Sequence, residues 1–186
     1  MGKKEEIVEI DVFELKYKDQ IMLFRVPSMI DIIDNNNDFY LFQSLSIANS
    51  RLLEKLYIEG DTAFYEDEDY LYFINDQICE MIEDVVGKYR YVIGADDITI
   101  NIEGYNEIVL SKPSLKDIRT LKSQRGNENF TFSSYLERLT LDNIIQAELT
   151  YMTDKKVLYV AGLIMATQLE VKEVSLKKKS MKITKK

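Results

Sequence analysis

The sequence predicts an α+β fold made of two β-hairpin-plus-helix repeats with additional amphipathic helices. Apolar and polar residues alternate in two separate stretches, each long enough for a pair of short antiparallel strands. Each stretch ends at one of the chain's only two prolines, and each proline is followed by Ser-x-x-Asp, a helix-entry signal. Between and after these stretches, apolar residues recur at spacings of three and four, the period of a helix with one buried face.

The first hairpin consists of Val12-Phe13-Glu14-Leu15-Lys16-Tyr17 and Ile21-Met22-Leu23-Phe24, separated by the polar turn Lys18-Asp19-Gln20. Pro27 stops the ladder because it has no amide hydrogen to donate. Ser28 then takes the cap position of a helix and Asp31 completes a capping box. The serine oxygen accepts from a freed amide, the aspartate reaches back to the serine amide and complements the helix dipole, and the cap is worth about 1 kcal/mol. The run Asp34-Asn35-Asn36-Asn37-Asp38 is expected to end this helix, since short polar side chains compete for backbone hydrogen bonds.

A second helix is expected over Phe39 to Ile58, with Leu41, Leu45, Ala48, Leu52 and Leu56 as its buried stripe and Gly60 closing it. A third runs from about Glu66 to Val86, carrying Tyr70, Phe73, Ile74, Ile78, Met81, Ile82 and Val85, with Gly87 as terminator. Tyr89 to Ile93 is compatible with a strand. The second hairpin follows, from Ile98-Thr99-Ile100-Asn101-Ile102 through a turn at Gly104-Tyr105-Asn106 to Ile108-Val109-Leu110.

Pro113 ends that arm, and Ser114-Leu115-Lys116-Asp117-Ile118 opens a helix by the same device as before. The loop at Gly126-Asn127-Glu128-Asn129 breaks it. Ser133-Ser134-Tyr135-Leu136-Glu137 starts another helix through Leu139, Ile144, Ile145 and Leu149, and Thr153 caps a last one from Asp154 to about Leu169.

Pro27-Ser28-Met29-Ile30-Asp31-Ile32 and Pro113-Ser114-Leu115-Lys116-Asp117-Ile118 agree at four of six positions, each behind a hairpin of nearly equal length. The reading is an internal duplication. Phe13, Leu15 and Tyr17 are matched to Ile98 or Ile100, Ile102 and Gly104, and Met22-Leu23-Phe24 to Ile108-Val109-Leu110. The expected boundaries are residues 1–88 and 89–171 for the two units, with 172–186 as a lysine-rich tail.

A chain of 186 residues can bury one substantial core or two small ones. With 46% hydrophobic residues, two prolines and seven glycines, most of it should fold. The net charge of −8 is unevenly spread: residues 172–186 hold seven lysines and one acid, leaving the remainder at about −14. A body this acidic repels phosphates and anionic lipid, so nucleic-acid contact is expected only of the tail, and membrane contact not at all. The tail is read first as a solubilising end. The N-terminus has no apolar signal core, and Val157 to Leu169 is too short to span a bilayer, which points to a cytoplasmic protein.

Chemistry finds little support. The chain has no histidine, so neither a Ser/His nor a Cys/His pair can be built, and Cys79, the only cysteine, is read as a small buried residue. No phosphate-binding glycine loop is present. Glu66-Asp67-Glu68-Asp69, with Asp61 before it, is read as a solvated helix start rather than a calcium or magnesium site, because consecutive acids point in different directions on a helix. The run Asp34 to Asp38 lacks the distal glutamate of a calcium loop. No enzyme activity, cofactor or metal is expected. Of Phe39, Tyr40, Phe42, Tyr57, Phe64, Tyr65, Tyr70, Tyr72 and Phe73, two thirds are expected in the core and the rest on a partner surface.

Arg25-Val26-Pro27-Ser28-Met29-Ile30-Asp31-Ile32 resembles a pattern in the tail assembly chaperones of tailed bacteriophages, including related baseplate-hub chaperones. In several of these a short hairpin precedes an arginine two residues before a proline and an aspartate-aliphatic pair four residues after it. Pro113 to Ile118 resembles the pattern again, with Ser111 in place of the arginine and Lys112 beside the proline. The likeness covers Glu9 to Asp34 and Asp96 to Leu121.

It implies a phage tail assembly chaperone or baseplate-hub assembly factor that binds a tape-measure or hub protein in the host cytoplasm. Apolar helix faces inside an acidic rim would suit that task, and self-association is a further partner reading. Two alternatives stand beside it: a structural baseplate or tail component retained in the virion, and an acidic decoy inhibitor of a host nucleic-acid-binding enzyme. Arg25, Pro27, Ser28, Asp31, Pro113, Ser114 and Asp117 are read as a structural motif.

Overall fold

The computed structural model describes residues 11–17, 20–60, 68–124 and 131–168, and the chain divides into two units, Met1–Val85 and Val86–Lys186. In the first, β1 (Val12–Tyr17) and β2 (Gln20–Arg25) pair antiparallel, with Phe13 opposite Phe24 and Leu15 opposite Met22. Strand alternation sends Leu15, Met22 and Phe24 to a buried face and leaves Glu14 and Lys16 exposed.

Beyond Pro27 come α1 (Met29–Phe42) and α2 (Leu45–Leu56). The short strand β3 (Tyr57–Glu59) returns to the free edge of β2, and α3 (Glu68–Val86) follows. The core joins Leu15, Met22 and Phe24 to Leu52, Leu53 and Leu56 of α2 and to Ile74, Ile78 and Met81 of α3. Each such side chain contributes about 1.5–3 kcal/mol on burial.

The second unit follows the same path with one strand added in front. β4 (Tyr89–Ile93), β5 (Asp97–Ile102), β6 (Ile108–Ser111) and β7 (Ile144–Gln146) form a sheet in that order. Between β6 and β7 lie α4 (Leu115–Gln124) and α5 (Phe132–Leu141). A 3-10 turn (Leu149–Thr153) and α6, over residues 155–168, complete the unit. Ile98, Ile100, Ile102, Ile108 and Leu110 form the buried face of the sheet. At Gly162, α6 approaches α5 so closely that a Cβ would stand 2.6 Å from Leu136 Cβ, a distance no other residue could accept without a shift.

The two sheets match down to their irregularities. The β2–β3 register slips between Leu23 and Phe24, and the β6–β7 register slips between Val109 and Leu110, so Tyr57 and Ile144 hold the same place in the two units. Both Pro27 and Pro113 are buried at the strand-to-helix junction. The pairing of Ile98 with Leu110 and of Ile100 with Ile108 makes Ile98 the counterpart of Phe13. It also makes Leu15 and Tyr17 the counterparts of Ile100 and Ile102, not of Ile102 and Gly104 as expected, because the buried pairs, not the turn, anchor the register.

Several expected elements differ. α1 does not stop at Asp34 to Asp38 but runs through it to Phe42, because Asn35 and Asp38 find partners on α2 that repay their weak helix preference. The helix expected over Phe39 to Ile58 is therefore only α2. Its end, like that of the helix expected through Ile144, Ile145 and Leu149, is replaced by a three-residue strand. The last helix is capped by Asp154, whose Oδ1 accepts from the amides of Lys156 and Val157; Thr153 belongs to the 3-10 turn. Gly87, at φ +72, ends α3 as expected. Among the described residues no helix is long and apolar enough to cross a membrane. The tail 172–186 lies outside the described residues.

Candidate protein-interaction site

The proline junction places four charged or polar groups around one carboxylate. Ser28 Oγ accepts from the Asp31 amide, and the Asp31 carboxylate accepts from the Ser28 amide at 2.8 Å and from its hydroxyl at 2.7 Å. Arg25, arriving from β2, donates to both carboxylate oxygens at 2.8 and 3.1 Å, and Lys55, near the end of α2, stands 2.8 Å from Oδ1. Only 4% of the Asp31 side chain is exposed, so these contacts decide whether the charge is tolerated. The Arg25 guanidinium, then Lys55 and Ser28, hold the Asp31 carboxyl well below the usual carboxylate range against the opposing effect of burial. Asp31 in turn raises the pKa values of Arg25 and Lys55.

In the second unit the capping box is repeated, with the Ser114 amide donating to Asp117 and the Asp117 amide to Ser114 Oγ. The cations are not. Ser111, in the place of Arg25, donates to Asn143 Oδ1 at 2.9 Å, and Asp142, two residues ahead of β7, stands where Lys55 stands two residues ahead of β3. Arg25, Ser28 and Asp31 thus meet in one network, whereas Ser114 and Asp117 make only a cap.

An open groove of about 440 Å³ runs between α1 and α2, lined by Asp31, Asp34, Asp38, Arg51, Glu54 and Lys55 among others. Lys55 bridges Asp31 to Asp34, and Arg51 bonds Asp38 at 2.8 Å, so its cations are committed to its own acids. Beneath it, Asn35 donates to Asn49 at 3.2 Å and Asn49 donates to Asn75, a polar ladder tying α1 to α2 and α2 to α3. The groove is a charged seam between helices.

Beyond one end of that seam the surface turns apolar. Gln43, in the left-handed region at φ 53, closes α1 through its amide to Phe39 O, and Ser44 caps α2 by accepting from the Ile47 amide. This abrupt reversal leaves no room for a core around it. Leu41 is 70% exposed, and Phe39, Phe42, Leu45 and Ile47 are between 41% and 43% exposed. The Arg51 guanidinium lies 4.9 Å from the Phe42 ring centroid while bonded to Asp38, which fixes the edge of the patch. Residues 1–85 carry seven basic and twenty acidic side chains, so the patch sits on a strongly negative unit.

Leu41 and Leu45, expected in a buried stripe, are exposed because the stripe is cut at Gln43-Ser44. Of the nine aromatics expected mostly in the core, Phe39 and Phe42 are exposed, and Tyr40 and Tyr57 are only half-buried. Phe64 and Tyr65 lie outside the described residues. Cys79, expected to be buried, is exposed on α3; partial burial of its thiol, with the nearby charges of Asp76 and Glu83, pushes its pKa up and leaves it a poor nucleophile. Asp61, Glu66 and Asp67 lie outside the described residues. Among those described, no group of three or more Cys, Asp and Glu side chains is placed to hold a metal ion. No family model matches the chain, and neither a curated protein nor a solved structure matches it.

Proposed function

We propose that this chain is a non-catalytic assembly factor that binds a partner protein through the apolar tip of the α1–α2 hairpin. The observation that carries the proposal is that tip: five large apolar side chains, each at least 41% exposed, within nine residues. Water-exposed apolar clusters of this density mark binding surfaces, and the surrounding acidity favours a partner with basic flanks. The resemblance of the Arg25-to-Ile32 segment to tail assembly chaperones supports a phage tape-measure or baseplate-hub protein as that partner, engaged in the host cytoplasm with no cofactor.

The test is co-expression with the proteins encoded beside its reading frame, among which a tape-measure or hub protein is the expected partner, repeated with Leu41→Asp and Phe39→Asp. These exposed positions should leave the fold intact within about 0.5 kcal/mol while reducing recovery of the partner at least tenfold. Unchanged recovery from the variants would refute the tip as the binding surface. Detection of the chain in mature virions would favour a structural component instead. Capture of a basic nuclease, lost steeply with salt, would favour the decoy.

A further inference from the structure

We propose that β4 pairs with β4 of a second copy of this chain, antiparallel and centred on Tyr91, joining two four-stranded sheets into one continuous sheet. Among the described residues β4 is an outer strand, and all five of its residues are exposed. It has no proline, no lysine and no register shift against β5, and Arg90 is its one charged residue.

Backbone geometry defines what the edge offers. The Glu103 amide donates to Lys88 O and the Gly94 amide to Asp97 O, so the backbone groups of Lys88 and Gly94 face β5. Antiparallel alternation gives Arg90 and Val92 the same direction, and turns the N–H and C=O of Tyr89, Tyr91 and Ile93 toward the open edge. Three residues spaced by two form a self-complementary set. Centred on Tyr91, Tyr89 exchanges bonds with the partner's Ile93, Tyr91 with the partner's Tyr91, and Ile93 with the partner's Tyr89. A register displaced by one pleat in either direction leaves one of these outward-facing residues without its opposite number.

The side chains point to the same occupant. Tyr89, Tyr91 and Ile93 stand opposite Ile102, Ile100 and Ile98, on the face that is buried throughout β5, yet they remain 41%, 44% and 45% exposed. The apolar face of the sheet therefore runs past the helices that cover it. A two-fold axis perpendicular to the sheet keeps the same face up in both copies, so each apolar row is continued by the other and aromatic residues meet β-branched ones across the junction. Arg90 meets the partner's Val92, not a second arginine. Residues 86–168 hold ten basic and ten acidic side chains, so the charge local to this part of the chain does not oppose pairing as that of the acidic first unit would.

Sedimentation equilibrium of the full chain over a concentration series tests this, with Tyr91→Lys and Tyr91→Glu as the variants. At the two-fold, either substitution places like charges face to face. The wild type should reach twice the chain mass; each variant alone should stay at the chain mass with an unchanged far-UV circular dichroism spectrum; and an equimolar mixture of the two should regain the doubled mass. A wild type that is monomeric up to about 1 mM overturns the proposal. So do variants that still dimerise alone, and so does a mixture that stays monomeric.

Discussion

Replacing Asp31 by asparagine tests whether the ion network, and not the capping box, distinguishes the first unit. Both carboxylate oxygens of Asp31 accept from Arg25, so either orientation of an asparagine amide turns an NH2 group against the guanidinium. Lys55 and Arg25 would also lose their buried counter-charge. Because the Arg25 and Lys55 side chains are 39% and 45% exposed and can be rehydrated, the loss falls short of that for a fully buried pair and is about 2–3 kcal/mol. Asp117→Asn is the internal control, because its side chain completes the same box without the two cations and is less buried; weakening that cap costs about 1 kcal/mol. The difference between the two variants, about 1–2 kcal/mol, is assigned to Arg25 and Lys55.

Urea unfolding followed by far-UV circular dichroism gives both values, provided the slope with denaturant is unchanged. Hydrogen exchange on peptides from each unit then shows where protection is lost. If Asp31→Asn falls within about 0.5 kcal/mol of Asp117→Asn, the contacts around Asp31 are not energetically coupled and the reasoning fails.

The same network fixes a pH dependence. The folded Asp31 carboxyl titrates below its unfolded value of about 3.9, so its stabilisation is fully present above that pH and is lost as pH falls through the folded value. The stability gap between wild type and Asp31→Asn, measured by urea midpoints, should therefore stay constant from neutral pH down to about 5 and narrow only below about 4; a gap that closes above 5 overturns the assignment. Asn49→Ala removes the middle of the polar ladder, stranding the Asn35 donor and the Asn75 acceptor, and should cost about 1–3 kcal/mol in the same assay. A cost near zero would mean that water replaces Asn49.

The parts of the fold legible in the sequence are those whose cause is local. Strand alternation, the missing amide of proline and the Ser-x-x-Asp cap act within a few residues, and each found its element. β3 and β7 were hidden because Tyr57-Ile58-Glu59 and Ile144-Ile145-Gln146 continue the apolar rhythm of the helices before them, with no glycine or proline to mark the change. Their place is set from a distance, by the unpaired edges of β2 and β6. A signal was nonetheless available: once the two prolines are superposed, these triplets fall nearly in register, each an apolar pair followed by Glu or Gln. The Asp31 network was half legible. Arg25 and Asp31 lie in one motif, but Lys55 reaches them only through the packing of α2 on α1.

The duplication also separates what the path requires from what one copy does with it. Proline, serine and aspartate persist at both junctions because each unit must turn a strand into a helix at that point, and the cap accomplishes this wherever it is used. A role peculiar to one unit must reside in residues that differ. Arg25 and Lys55 give way to Ser111 and Asp142, and the stretch at the same distance beyond Pro113, Arg125 to Ser133, holds two large apolar residues, Phe130 and Phe132, where the first unit has five, Phe39, Leu41, Phe42, Leu45 and Ile47. An exposed apolar tip carries a solubility cost that folding alone gives no reason to keep. Its presence on a unit with twenty acids fits a surface whose apolar contact is matched to a basic partner and whose charge keeps two such tips from meeting each other.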